Sequence, residues 1–152
     1  MQPTQPKGGQ EISPLVLAST ILSMNKGHAK ALNSILGKER KVKLVERLFR
    51  ASEYDFRTDA FHYYCDGLED TLVLIRTEFG KTIGGYTHYP WDSSSGWLAD
   101  SGRRAFLLSL DMNEKFVPQW DDSLIYRSSG YGPTFGWNDI SVPGGYNSER
   151  NL

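Results

Sequence analysis

Residues 71–91 constrain the fold of this chain more than any other part of its sequence. An apolar, β-branched run at 71–77 is followed by the turn Glu78-Phe79-Gly80-Lys81 and then by a second extended run. The pair Gly84-Gly85 interrupts that second run. This pattern predicts two antiparallel strands, with glycine where one backbone needs a close approach or a bulge.

The bulk composition indicates one globular domain and excludes some partners. The chain has 152 residues, of which 39% are hydrophobic, and its formal net charge is −1. Because it has no basic excess, binding to nucleic acid or to an anionic membrane is disfavoured. The single cysteine, Cys65, cannot form an internal disulfide, which favours a reducing compartment. We therefore expect a cytoplasmic protein. Two narrower locations are open within that expectation: the cytosolic face of an organelle and a cytoskeletal assembly.

The chain divides by composition into three parts. Residues 1–11 have the composition of a disordered segment, residues 12–43 are predicted to be helical, and residues 44–152 are predicted to form the main domain. Within the second part, the apolar run 12–24 is too short and too often interrupted by Ser and Pro to cross a bilayer. We expect no transmembrane segment.

The local patterns predict an α+β fold, with helices first and short strands after them. Helices are predicted at 29–36, at 38–50 and at 59–64, the last with Thr58 as its N-cap. Further strands are predicted at 105–110, 123–126 and 140–142, and loops at 93–100, 111–119 and 128–137. The aromatic residues Phe79, Tyr86, Tyr89 and Trp91 are expected in the core. Short strands at close spacing favour an antiparallel β-sandwich flanked by helices.

The sharpest chemical constellation is His62, Cys65 and Asp66. Their spacing of i, i+3 and i+4 places them on one face of a helix. A Cys65–His62 pair is a candidate redox-sensitive thiol, because a nearby histidine can stabilise a thiolate. The alternative is structural, since a free cysteine is among the most buried residue types.

Other catalytic signatures are weak. The three histidines and one cysteine form no short metal-binding motif, and neither a phosphate-binding glycine loop nor a Gly-x-Ser-x-Gly elbow occurs. We expect no catalytic residue, metal or cofactor. In the turn of the first hairpin, Glu78 and Lys81 are candidate contacts to a protein partner.

An ordered set of motifs between residues 44 and 142 resembles the TLDc domain family. The set begins with residues 44–52, continues through Phe61-His62 and Cys65-Asp66, and ends with residues 132–136 and Asp139-Ile140. Between these lie residues 105–110 and most of the hairpin. The residues that define the fold in this resemblance are Gly80, Gly84, Gly85, Trp91, Gly132 and Gly136.

The resemblance implies a sandwich of two antiparallel sheets flanked by helices, without an established active site. Family members are associated with resistance to oxidative stress, and several bind the vacuolar-type proton ATPase. The resemblance thus favours a non-catalytic protein-interaction domain that protects against oxidative stress or regulates this ATPase.

The chain departs from the family pattern in two places. Tyr54-Asp55-Phe56 stands where the family usually has Asp-Gly-Phe, and the family domain continues with strands beyond the equivalent of Leu152. We therefore expect a domain that is incomplete at its C-terminus, with the strands either lost or supplied by another chain. Two alternatives stay open: a structural component of a large assembly, whose sheet a partner completes, and a redox protein using Cys65.

Overall fold

The computed structural model describes residues 19–37 and 45–144. Within these ranges it contains three α-helices, which we label α1 (Thr20–Ser23), α2 (Lys26–Gly37) and α3 (Thr58–Cys65), and a 3₁₀-helix at Ala51–Glu53. The eight strands are β1 (Thr71–Arg76), β2 (Thr82–Thr87), β3 (Gly96–Leu98), β4 (Ala105–Ser109), β5 (Glu114–Phe116), β6 (Ile125–Arg127), β7 (Tyr131–Phe135) and β8 (Ile140–Pro143). The disorder predicted for 1–11 and the start of the predicted helical segment at 12–18 lie outside the described residues.

The chain forms two compact units, Met1–Glu46 and Arg47–Leu152. In the first unit, the side chain of Ser19 caps α1 by accepting a hydrogen bond from the amide of Leu22. Helix α2 buries Leu32 and Ile35 along one face, as its apolar spacing predicts. No helix in the described part of the chain is long and apolar enough to cross a membrane.

The helix predicted at 38–50 is wrong over its described part. Residues 38–44 lie outside the described residues, but residues 45–50 are not helical, and Arg50 is extended with φ −132° and ψ 112°. Leu48 and Phe49 are adjacent in sequence, yet both pack against the core of the second unit. This tertiary packing overrides the helical propensity of the segment.

The second unit is an antiparallel sandwich, which confirms the predicted α+β class. One sheet has the strand order β1-β2-β4-β5 and the other has the order β3-β6-β7-β8. The core between them combines buried side chains from both sheets and from α3: Phe61, Cys65, Tyr89, Trp91, Ala105, Leu124, Ile125 and Phe135.

The predicted hairpin forms without a bulge. Strands β1 and β2 pair in one continuous register that sets Val73 opposite Gly85 and Leu74 opposite Gly84. Gly80 has φ +74°, a left-handed conformation that the turn requires and that glycine adopts without a steric penalty.

The glycine pair is a device for close approach. A Cβ atom at Gly84 would collide with the carbonyl oxygen of Val73 on the neighbouring strand. A Cβ atom at Gly85 would lie 2.6 Å from the ring of Phe135, which belongs to β7 in the opposite sheet. The two sheets therefore pack directly against each other at Gly85.

Trp91 closes the core beside this contact. Its side chain is 1% exposed, and its indole nitrogen donates a 2.9 Å hydrogen bond to Oγ1 of Thr71. Its ring makes edge-to-face contacts with Phe61 and Phe135 at centroid distances of 5.6 and 5.5 Å.

Three predicted loops are wrong because each contains a strand. Strand β3 lies within 93–100, β5 within 111–119 and β7 within 128–137. Each is short and lies in a Ser-, Gly- or charge-rich segment, so its conformation depends on pairing with a neighbour rather than on local propensity. Gly132 and Gly136 fit this arrangement: a Cβ atom at Gly132 would lie 3.3 Å from Val142, and Gly136 has φ +43° in the turn after β7. The other predicted strands occur within one or two residues of their predicted bounds.

The assignment of Thr58 as an N-cap is also wrong. Thr58 is the first residue of α3, and Arg57 at the cap position makes no capping hydrogen bond through its side chain. Instead, the carboxylate of Asp59 accepts hydrogen bonds from the Ala60 amide and from the guanidinium of Arg57. An acidic residue in the first turn serves the same exposed amides that a cap would serve.

Substituting Gly85→Ala should destabilise the second unit by about 1–3 kcal/mol, because the new methyl group overpacks the contact with Phe135. Gly130→Ala is the matched control, since a Cβ atom there meets nothing closer than 4.0 Å; it should change the free energy of unfolding by less than about 0.5 kcal/mol. Urea unfolding of both variants checks this. Equal stability of the two would mean that the sheets do not touch at Gly85.

Candidate functional site

The constellation centred on α3 forms a polar cluster around His62. Nδ1 of His62 lies 2.7 Å from Oδ1 of Asp66, as the i, i+4 spacing predicts. Nε2 lies 2.9 Å from the carbonyl oxygen of Ser128 and 2.8 Å from that of Tyr131. The His62 side chain is 10% exposed. Nε2 thus connects α3 to the residues that link β6 to the start of β7, whereas Nδ1 contacts the residue that directly follows α3.

This geometry favours a structural role for His62 over an acid–base role. A carbonyl oxygen can only accept a hydrogen bond, so Nε2 donates to Ser128 and Tyr131. A general base needs a ring nitrogen within reach of the proton that it removes. Here Nδ1 faces the Asp66 carboxylate and Nε2 faces the backbone, so the hydrogen bonds of the ring are used within the fold.

Cys65, the third member of the constellation, points into the core instead of joining the cluster. It is buried among apolar residues. This burial, together with the adjacent negative charge of Asp66, raises the pKa of the Cys65 thiol to about 12. Activated thiols have a lowered pKa, beside cations or helix N-termini. The redox-sensitive thiol stays a prediction, and this environment disfavours the thiolate that it requires.

Asp92 and Arg127 extend the polar cluster, and sequence reasoning missed both. Nη1 of Arg127 donates a 2.9 Å hydrogen bond to Oδ2 of Asp92, and the Ser94 amide donates to Oδ1 of Asp92 at 2.8 Å. Burial raises the pKa of Asp92, but the hydrogen bonds from Ser94 and the charges of Arg127 and His62 outweigh it and hold that pKa below its usual value. The two residues are 35 positions apart in the chain, and no local pattern connects them.

The predicted partner contacts lie at the tip of the first hairpin, which hydrogen bonds hold rigid. The Thr77 amide donates to the carbonyl of Lys81 at 2.8 Å, and the Gly80 amide donates to the carbonyl of Thr77 at 3.0 Å. The Lys81 amide donates to Oγ1 of Thr77 at 3.1 Å. Glu78 and Lys81 are both exposed at this tip.

The neighbouring turn after β4 supports the tip from the side. Nζ of Lys81 lies 3.9 Å from Oδ1 of Asp111, and Oδ2 of Asp111 accepts a 2.6 Å hydrogen bond from the Thr82 amide. Asp111 therefore helps to fix the start of β2 and forms a long, exposed ion pair with Lys81. Sequence reasoning missed Asp111, which looked like a loop residue.

Phe79 corrects an expectation about the core. Of the four aromatic residues expected there, Tyr89 and Trp91 are buried and Tyr86 is partly buried, but Phe79 is 82% exposed. It stands between Glu78 and Lys81 at the tip. The available signal was its position within a tight turn, where side chains project into solvent.

The two sites are separate: His62 and Asp66 come together, whereas Glu78 and Lys81 lie at the hairpin tip. Within the part of the chain that the structure describes, no group of three histidine, cysteine or carboxylate side chains is placed to hold a metal ion. The arrangement offers structural hydrogen bonds at α3 and an exposed aromatic side chain on a hydrogen-bonded turn at the hairpin.

The Cys65 thiol should resist alkylation in the folded protein. With a pKa of about 12, on the order of one molecule in a hundred thousand carries the thiolate at pH 7. The rate of iodoacetamide modification, measured by intact mass, should therefore keep rising with pH beyond 9, where an ordinary thiol levels off. Protein unfolded in guanidinium is the control and should react at the rate of a free cysteine. Rapid reaction of folded protein at neutral pH would instead support the redox alternative.

Comparison with known families gives a match over most of the chain. The model of the TLDc domain matches residues 18–147, which includes the hairpin, α3 and all eight strands. Comparisons with curated proteins and with solved structures gave no match. The family match agrees with the sandwich architecture and with the motif set described from the sequence, and the chain belongs to the TLDc domain family.

Proposed function

We propose that this chain is a non-catalytic protein-interaction domain that binds the vacuolar-type proton ATPase on the cytosolic face of an organelle and contributes to protection against oxidative stress. Family membership supports a TLDc-type role. The state of the polar cluster supports a role without catalysis, since the hydrogen bonds of His62 serve the fold and Cys65 is buried.

The observation that carries the proposal is the exposure of Phe79 on a rigid turn. Because Phe79 is exposed in the free chain, its apolar surface can still be removed from water. Burying such a side chain in a partner's pocket is worth about 2–3 kcal/mol. Aromatic residues are frequent among the few residues that dominate the energy of a protein interface. Because the turn is already ordered by its hydrogen bonds, binding loses little conformational entropy.

The charges beside Phe79 favour one orientation of a bound partner at the hairpin tip. Glu78 and Lys81 have opposite charges and lie on either side of the aromatic ring in the chain. Charges at the rim of an interface contribute mainly to the rate and the specificity of association. We assign Phe79 the role of anchor, and Glu78 and Lys81 the role of selecting and orienting the partner.

Replacing Phe79→Ala should abolish most of the partner binding without unfolding the domain. Losing an anchor of about 2 kcal/mol should weaken binding at least about tenfold. Tyr63→Ala is the matched control, because Tyr63 is 83% exposed, nearly the same fraction as Phe79, but lies on α3. The measurement is quantitative mass spectrometry of proton-ATPase subunits that co-purify with the tagged full chain and with each variant.

Both variants should melt within a few degrees of the parent protein, since substitutions of exposed residues change stability by less than about 0.5 kcal/mol. The parent and Tyr63→Ala should capture the ATPase subunits in equal amounts. Phe79→Ala should capture much less of them. Equal capture by Phe79→Ala would remove the hairpin tip from the interface. Absence of these subunits from every sample would reject the proposed partner.

A further inference from the structure

The first sheet ends at β5, and this edge is the most distinctive surface outside the sites described above. Strand β5 pairs with β4, with Leu107 opposite Phe116 and Ser109 opposite Glu114. Among the residues that the structure describes, no strand pairs with the other side of β5. With respect to the strands that the structure describes, the outer backbone groups of β5 are therefore open to an added strand.

The core-facing side of the sheet continues to this edge and is open there. Pairing sets Val73, Gly85, Leu107 and Phe116 in one row across the four strands. Gly85 faces Phe135 of the opposite sheet, and Val73 and Leu107 pack against the core. Phe116 is the last member of the row and is 44% exposed. The apolar layer thus reaches solvent at β5.

Other large apolar side chains close to Phe116 in the sequence are exposed as well. Met112, Val117 and Trp120 are 61%, 65% and 64% exposed. With Phe116 they place four exposed large apolar side chains within residues 112–120, and clustered exposed apolar surface marks an interaction site more often than scattered apolar residues do. Strand β5 is only three residues long and is followed by Pro118, features that limit indiscriminate pairing at an edge.

The same segment is acidic. Residues 111–122 contain four carboxylates and one lysine, which leaves a formal charge of −3: Asp111, Glu114, Asp121, Asp122 and Lys115. The ammonium group of Lys115 lies 4.9 Å from the ring centroid of Phe106, a cation–π contact within the sheet. Glu114 lies two positions before Phe116, so both side chains are on the core-facing side of the strand.

We propose that the β5 edge binds an extended segment of a partner protein that carries an apolar residue opposite Phe116 and a lysine or arginine opposite Glu114. Side chains two positions apart lie on the same face of a strand, so the recognised pattern is an apolar residue and a basic residue separated by one residue. Backbone pairing supplies affinity, and these two cross-strand contacts supply specificity. The inference rests on the proposed function in that the partner is a protein, but it uses a surface distinct from the hairpin tip.

Charge complementarity favours such a segment over a second copy of this chain. Two copies paired through β5 would bring two segments of formal charge −3 together, and like charges directly opposite each other in a sheet are destabilising. A basic segment gains from the same charges. It also covers the exposed part of Phe116, which a purely polar segment would not.

A synthetic peptide with the repeated sequence Val-Thr-Arg-Thr tests the inference on the full chain. Isothermal titration of the peptide with two repeats should show saturable binding of one peptide per chain. Replacing both arginines with glutamate should weaken peptide binding at least about tenfold. Replacing a central threonine with proline should also abolish binding, because proline removes a ladder hydrogen bond.

Glu114→Lys should reverse the preference, so that the glutamate peptide binds more tightly than the arginine peptide. Glu114 is exposed, and a thermal melt should confirm that this variant folds. Glu69→Lys is the matched control, since it reverses one exposed charge shortly before β1 of the same sheet; it should leave the peptide preference unchanged.

Three results would overturn the inference: no saturable binding at millimolar peptide, equal affinity for the arginine and glutamate peptides, or a dimer of the free chain in sedimentation that Glu114→Lys dissociates. The last would assign the edge to a second copy. Phe79→Ala should bind the arginine peptide like the parent, so failure of this inference is distinguishable from failure of the proposed function, which the capture of ATPase subunits decides.

Discussion

The contact between Gly85 and the ring of Phe135 is the constraint on which the rest of the second unit depends. Because Gly85 has no side chain, β2 approaches β7 directly across the core, at a distance that a Cβ atom would reduce to 2.6 Å. Gly84 permits a similarly close approach to the backbone of β1. Trp91 then packs against Phe135 and fills the adjacent space. The hairpin tip and the β5 edge both belong to the sheet that this contact positions, so their presentation to a partner follows from it.

The sequence predicts this part of the fold well because its signals are local. The turn at 78–81, the glycine pair and the β-branched run each specify a conformation within a few residues. Strands β3 and β5 carry no such signal, since each has three residues and exists through pairing with a neighbour. The helix prediction is wrong at residues 45–50 for a related reason: the packing of Leu48 and Phe49 against the core overrides the helical periodicity of the segment.

In the candidate sites, too, local contacts could be predicted from the sequence and long-range contacts could not. The contact between His62 and Asp66 could be predicted, because i, i+4 spacing on a helix brings two side chains together. The carbonyl oxygens of Ser128 and Tyr131 could not, since they lie 66 and 69 positions away and arrive through the tertiary fold. Those distant contacts favour a supporting role for His62 rather than a chemical one. Phe79 shows the converse, because an aromatic residue expected in the core is instead presented to solvent.

The most direct test of this account is the nuclear Overhauser contact between the Hα protons of Gly85 and the ring protons of Phe135. These two residues are 50 positions apart, and only direct packing of β2 on β7 brings them together. We expect a strong cross-peak in the folded chain that disappears on unfolding. A well-dispersed spectrum of the folded protein without this cross-peak would contradict the arrangement of the two sheets, and with it the placement of both proposed binding surfaces.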